Sequence, residues 1–161
     1  MGGPTDYDAI AAHYAAHIDE QPCNALYERP ATLVLLPDLA GKDVLDAGCG
    51  PGWYADWLAR QGARVVAVDL SHSMVELAAK RLGERARVLQ GDVKNLRGLF
   101  WDEAFDLVLS SLVLHYLDDL SELRSLWNGR AFLDRTERWC FQLIIPYTKQ
   151  AYSSPDTCEQ A

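Results

Sequence analysis

At 161 residues the chain is long enough for one domain that buries roughly two thirds of the surface its unfolded form exposes. A formal net charge of -8, with no cluster among 15 Lys and Arg, leaves no electrostatic footprint for nucleic acid or an anionic membrane surface. The four cysteines, Cys23, Cys49, Cys140 and Cys158, show neither C-x-x-C nor zinc spacing; they read as free thiols in a reducing compartment, with no metal expected. Met1 to Asp6 lack a basic region followed by an apolar run, and no stretch approaches the ~20 apolar residues that cross a bilayer, so a cytoplasmic location is expected.

Ile10, Tyr14 and Ile18 recur every four residues and predict an amphipathic helix over 6–18, capped by Thr5 or Asp6. His13 and His17 fall on it without a third ligand in view and read as surface histidines. A second helix is expected from Pro30 to Pro37, burying Leu33, Val34 and Leu36. After a turn at Gly41, Val44-Leu45-Asp46-Ala47 reads as a strand that stops abruptly at Gly48-Cys49-Gly50-Pro51-Gly52. Alternate glycines let the backbone turn tightly and approach a ligand more closely than any side chain permits. Trp53, Trp57 and Leu58, with Gly62 as C-terminal cap, predict a helix directly after the turn.

Arg64–Asp69 is nearly continuous β-branched apolar sequence, as a parallel strand covered on both faces requires. Ser73-Met74-Val75-Glu76 has capping-box spacing and opens a helix with Leu77, Ala78 and Leu82 on one face. Arg87–Asp92 is a third strand, 93–103 a loop with at most a helical turn, and Phe105–Ser111 a fourth strand. Asp119–Trp127 is a further helix, and Trp139–Ile145 could serve as a fifth strand. Strands alternating with helices argue for right-handed βαβ units, hence an α/β, Rossmann-like, doubly wound parallel sheet.

In such sheets ligands bind beyond the carboxyl ends of the strands, where this chain puts Asp46 with its glycine turn, Asp69, Asp92 and Ser110-Ser111. Asp69 follows Gly50 by 19 residues, where a carboxylate holds a ribose diol or simply caps the next helix. The dinucleotide fingerprint needs glycine where Trp53 stands, and no Gly-Lys-Ser/Thr is present, so phosphate cradling is poorly supported. A carboxylate two residues before G-x-G-x-G suits a cationic ligand group instead.

On VLDAGCGPG, VVAVDLSHSMVELA, VLQGDVKNL and FDLVLSSLVLHYL, in that order, residues 6 to about 123 resemble a class I S-adenosylmethionine-dependent methyltransferase. The resemblance is to the small-molecule type found in ubiquinone and menaquinone biosynthesis. It implies the cofactor S-adenosyl-L-methionine, a small-molecule methyl acceptor, and in-line transfer without a nominated base. It further implies that Gly48, Cys49 and Gly50 pass beside the methionine part, with Asp46 supporting that loop and the amino group. By the same resemblance Asp69 holds the ribose, Leu70 and Met74 pack on adenine, and Asp92 and the Val93 N–H bind its edge. Ser110 offers its carbonyl to the methionine ammonium, and Tyr14 helps close the pocket. His115 and Tyr116 fall where related enzymes line the acceptor site.

The domain reading is 1–43 as helices over the cofactor site, 44–127 as the cofactor-binding core and 128–161 as a divergent tail. That tail lacks the family's Pro-Gly-Gly turn after Trp127, so the last strands of the seven-stranded methyltransferase sheet are expected to be missing and turnover to be low. A native divergent tail and a changed reading frame between Arg124 and Arg138 both stay open. The functional rivals are an NAD-dependent oxidoreductase and a remnant that binds the cofactor without turnover. The acceptor and the oligomeric state are not readable.

Overall fold

The computed structural model describes residues 7–100, 105–113 and 133–142. Within them lie strands β1 (Asp43–Ala47), β2 (Arg64–Asp69), β3 (Ala86–Gln90), β4 (Phe105–Ser111) and β5 (Leu133–Gln142). They form one sheet, β3-β2-β1-β4-β5, with every neighbouring pair parallel. Helices α1 (Tyr7–His17), α2 (Arg29–Leu33), α3 (Trp53–Arg60), α4 (His72–Leu82) and α5 (Leu96–Leu99) accompany it. The expected doubly wound sheet is therefore present, and its strand order reverses between β1 and β4, where such folds open a ligand crevice.

Both faces of β1 are dry because successive side chains alternate. Val44 lies in one apolar cluster with Leu58 of α3, Ala78 and Leu82 of α4, and Leu107; Leu45 and Ala47 lie in the other with Val68, Leu96, Phe100 and Val108. Register sets Asp46 beside Ala67 and Leu109, and Asp69 beside Gln90. The ends carrying Asp46, Asp69, Ser110 and, two residues past β3, Asp92 therefore share one edge.

Several local expectations are corrected. Ile10 is exposed and Ala11 buried, so the four-residue spacing in α1 does not mark its inner face. That helix is fastened instead by Asp8, whose Oδ1 accepts from Ser71 Oγ at 2.6 Å and Ser73 N at 2.9 Å. The second helix ends at Leu33 and leaves Val34 exposed; it is preceded by an unforeseen π-helical turn, Cys23–Glu28. The cap of α4 is Ser71, whose Oγ accepts from Met74 N at 3.1 Å, while Glu76 pairs with His72. The buried line of α4 is Met74, Ala78 and Leu82. β3 ends at Gln90, and β5 starts at Leu133, with a register shift between Phe105 and Leu107. Thr5, Asp6, His115, Tyr116, the helix Asp119–Trp127 and residues 143–145 lie outside the described residues.

Candidate functional site

The turn after β1 spends its N–H groups on its own scaffold. Gly48 N and Cys49 N donate to Val68 O at 2.8 and 2.9 Å, Gly50 N to Asp69 Oδ2 at 2.7 Å, and Gly52 N to Cys49 O at 3.0 Å. Pro51 has no N–H. The turn thus offers a ligand acceptors and no donors, which is the wrong polarity for a pyrophosphate and the right one for a cation.

Glycine is required here for geometry as well as for closeness. Gly48, Gly50 and Gly52 have φ of 84°, 52° and 83°, in the left-handed region. A Cβ on Gly48 would fall 2.2 Å from Val113 Cγ2, whereas one on Gly50 would enter open space. Leu112 is also left-handed, with φ of 56°, so the chain leaving β4 bends back over Gly48 at some cost in strain.

Two acids at this edge are held differently. Asp69 is half-buried and takes Gly50 N on one oxygen and Ser71 N, at 3.0 Å, on the other. Burial raises its carboxyl above the ordinary value, against those backbone hydrogen bonds. Asp46 is 1% exposed, and its Oδ2 is buried with no hydrogen-bond partner; the backbone N–H of Ala55 in the first turn of α3 acts to lower its carboxyl and is outweighed. Desolvation, then the charges of Asp69 and Glu28, push it up to about 7.

Glu28 is a site residue that the sequence reading missed. It is buried, and its Oε1 accepts from Tyr54 Oη at 2.6 Å, Thr32 Oγ1 at 3.2 Å and Ser111 Oγ. Burial, then the Glu28 bond, push the Tyr54 hydroxyl up, so it stays protonated and donates. Glu28 thereby ties the π-helical turn to α3 and to the end of β4. Residue type misleads locally here, since Glu28, Arg29 and Thr32 are buried while Leu26, Tyr27, Val34 and Leu35 are exposed.

The other residues singled out in the sequence divide in the same way. Ser110 is fully buried, with Oγ donating to Ala47 O at 2.9 Å across β1 and β4. Leu70 is 65% exposed beyond β2, whereas Met74 is sunk in the core. Asp92 is half-buried and accepts from Lys94 N at 2.8 Å, which caps a turn at Val93–Asn95. Tyr14 is half-buried with its ring edge-on to Tyr7, and Cys49 is a buried free thiol. His13 and His17 are exposed, and no group of metal-ligating side chains occurs among the described residues.

Residues 45–127, just over half of the chain, match the family model described as a methyltransferase domain. The chain belongs to this family. The class I, S-adenosylmethionine-dependent resemblance carried by its motifs is thereby borne out. Over part of its length this methyltransferase-family chain is similar to two curated relatives. One is the malonyl-[acyl-carrier protein] O-methyltransferase of Hamiltonella defensa subsp. Acyrthosiphon pisum, 35% identical over 115 residues, covering 70% of this chain and 43% of the relative. The other is the demethylmenaquinone methyltransferase of Thermobifida fusca, 32% identical over 152 residues, covering 81% and 64%. A solved S-adenosylmethionine-dependent methyltransferase from Mesorhizobium loti matches with a TM-score of 0.63 at 29% identity, covering 73% of this chain and 54% of that one. The chain spans about half the length of the curated relatives it matches. No helix among the described residues is long and apolar enough to cross a membrane.

Proposed function

We propose that the chain binds S-adenosyl-L-methionine at the carboxyl edge of the sheet and transfers its methyl group to a small-molecule acceptor. The observation that carries this reading is the polarity of the glycine turn: no N–H is left over, and acids lie behind it. A nicotinamide dinucleotide, which needs donors for its pyrophosphate, finds none in that turn.

The residues present fit the cofactor. Asp69 already fixes Gly50 and Ser71, and the remaining lone pairs of its two oxygens can accept from ribose hydroxyls. Exposed Leu70 and, in the core, Met74 are the side chains that would pack on the adenine, and Asp92 with the Val93 N–H would bind its edge. The carbonyl of Ser110, and Asp46 through its charge, favour the methionine ammonium beside Gly48, Cys49 and Gly50. Helices α1 and α2, Tyr14 among their residues, form the cover.

When bound, the cofactor supplies a methyl group already activated on a sulfonium sulfur. The protein therefore aligns that group with the acceptor and keeps water out. The Glu28 tie holds the N-terminal segment over the end of β4, where the acceptor would enter. No side chain of the described residues is assigned as a base, and none is needed unless the acceptor must first lose a proton.

Calorimetric titration with S-adenosylhomocysteine and, separately, with NAD tests the reading. Binding of the former alone is expected, weakened at least tenfold in Asp69→Ala, because charge-assisted hydrogen bonds contribute about 1.5–3 kcal/mol each. Binding of NAD in preference would overturn it. Incubation with methyl-labelled cofactor and a small-molecule extract reads transfer, and label appearing only on macromolecules would contradict the acceptor class.

A further inference from the structure

We propose that Asp46, with the charge of Glu28 beside it, makes the site selective for the cationic sulfonium cofactor over its neutral thioether product, cation binding being coupled to proton release from Asp46. The inference deepens the cofactor reading and rests on it.

Three features converge on Asp46. It stands at the last-but-one position of β1, directly before the turn whose N–H groups are all spent, so no donor of that turn neutralises it. Its Oδ2 is sealed from water and bonded to nothing, an arrangement that costs free energy unless the carboxyl is neutral or a positive charge comes near. The charges that act on it are Asp69 from β2 and Glu28 from the π-helical turn, both acidic. Cys49 in the turn and Tyr54 on α3 complete the titratable surroundings. Burial drives both upward, so they stay neutral between pH 6 and 8. Its neighbour on β4, Leu109, does not titrate.

Asp69 is a poor candidate for the same task, because both of its oxygens accept backbone N–H bonds that support its charged form. Asp46 has an unbonded, sealed Oδ2 and a carboxyl pushed up to about 7. A sulfonium placed in this water-poor edge lowers the cost of the Asp46 carboxylate, and the proton leaves to solvent. The thioether product, carrying one positive charge fewer, does so less. Substrate is thereby favoured over product at the moment of exchange.

Titration calorimetry of the full chain at pH 6, in two buffers of different ionisation enthalpy, counts the protons. Both ligands keep their ammonium charged at this pH. S-adenosylmethionine is expected to release about half a proton or more beyond S-adenosylhomocysteine, with its affinity rising on the order of five- to tenfold from pH 6 to 7.5. Asp46→Asn should bind both ligands with no difference in protons. The wild-type difference alone decides the matter if that variant fails to fold. Equal proton counts for two ligands that both bind would overturn the inference and leave the cofactor reading standing. Failure of S-adenosylmethionine to bind would overturn both.

Discussion

The two edges of the sheet carry the same residue type in opposite electrostatic states. At the amino edge Asp43 pairs with Arg64 at 2.5 Å and Asp106 with Lys42 at 3.5 Å, and Asp106 also accepts from Asp43 N at 2.7 Å. The Arg64 hydrogen bond holds the Asp43 carboxyl below its usual value. Three residues along the same strand, Asp46 has no cation, a buried orphan oxygen and a carboxyl pushed up to about 7. Neither Asp46 nor Asp69 has an ion-pair partner among the described residues. The amino edge is finished as a structure. The carboxyl edge keeps a buried acid uncompensated, which on our proposal a positive ligand relieves.

Changes at the two edges should therefore differ in kind. Gly48→Ala should have the largest effect, because its Cβ meets Val113 at 2.2 Å and the backbone is left-handed. We expect a loss of about 1–3 kcal/mol in stability by urea unfolding, with cofactor binding abolished. Next comes Glu28→Ala, which takes the shared acceptor from the Tyr54 and Ser111 hydroxyls, while Thr32 keeps its bond to the Glu28 carbonyl, and should cost about 1–3 kcal/mol. Its hydrogen exchange should rise across residues 7–33 and not across β1 and β2; a uniform rise would deny Glu28 its role as the tie.

The sign of the Asp46 effect follows from its raised value. Its folded value of about 7 exceeds the ordinary 3.8, so its contribution is fully present below about pH 4 and is lost as pH rises through 7. Asp46→Asn, which cannot ionise, should therefore exceed wild type by a few kcal/mol at pH 8, keep part of that advantage at pH 5 and lose it only below about pH 4. A constant difference across that range would contradict the assignment. The smallest change is expected at the amino edge. Arg64→Ala breaks an exposed pair and should leave the melting temperature within error and cofactor binding unaltered.

Legibility in the sequence followed the range of the forces involved. β2 and β4 were readable to the residue, because continuous β-branched and apolar runs bounded by Asp, Ser or Gly admit no other local structure. The glycine turn was readable because only glycine serves there. Ser73 was mistaken for the cap of α4 because S-x-x-E is a local pattern, whereas Ser71 wins by lying beside Asp69 and receiving Asp8 from α1. Glu28 and the π-helical turn left no local trace. Their partners lie 26 and 83 residues away, and a lone acid between Tyr27 and Arg29 looks solvated until those partners are known. The site was thus legible where the backbone makes it and hidden where distant side chains do.

The most direct test of the central claim, that this edge is built for an adenosyl sulfonium, is a crystal structure with S-adenosylhomocysteine. The account predicts the ribose diol on Asp69, the adenine over Leu70 and the methionine ammonium within reach of the Ser110 carbonyl. A ligand bound away from the Gly48–Gly52 turn, or lying on it with Asp69 turned aside, would contradict the account.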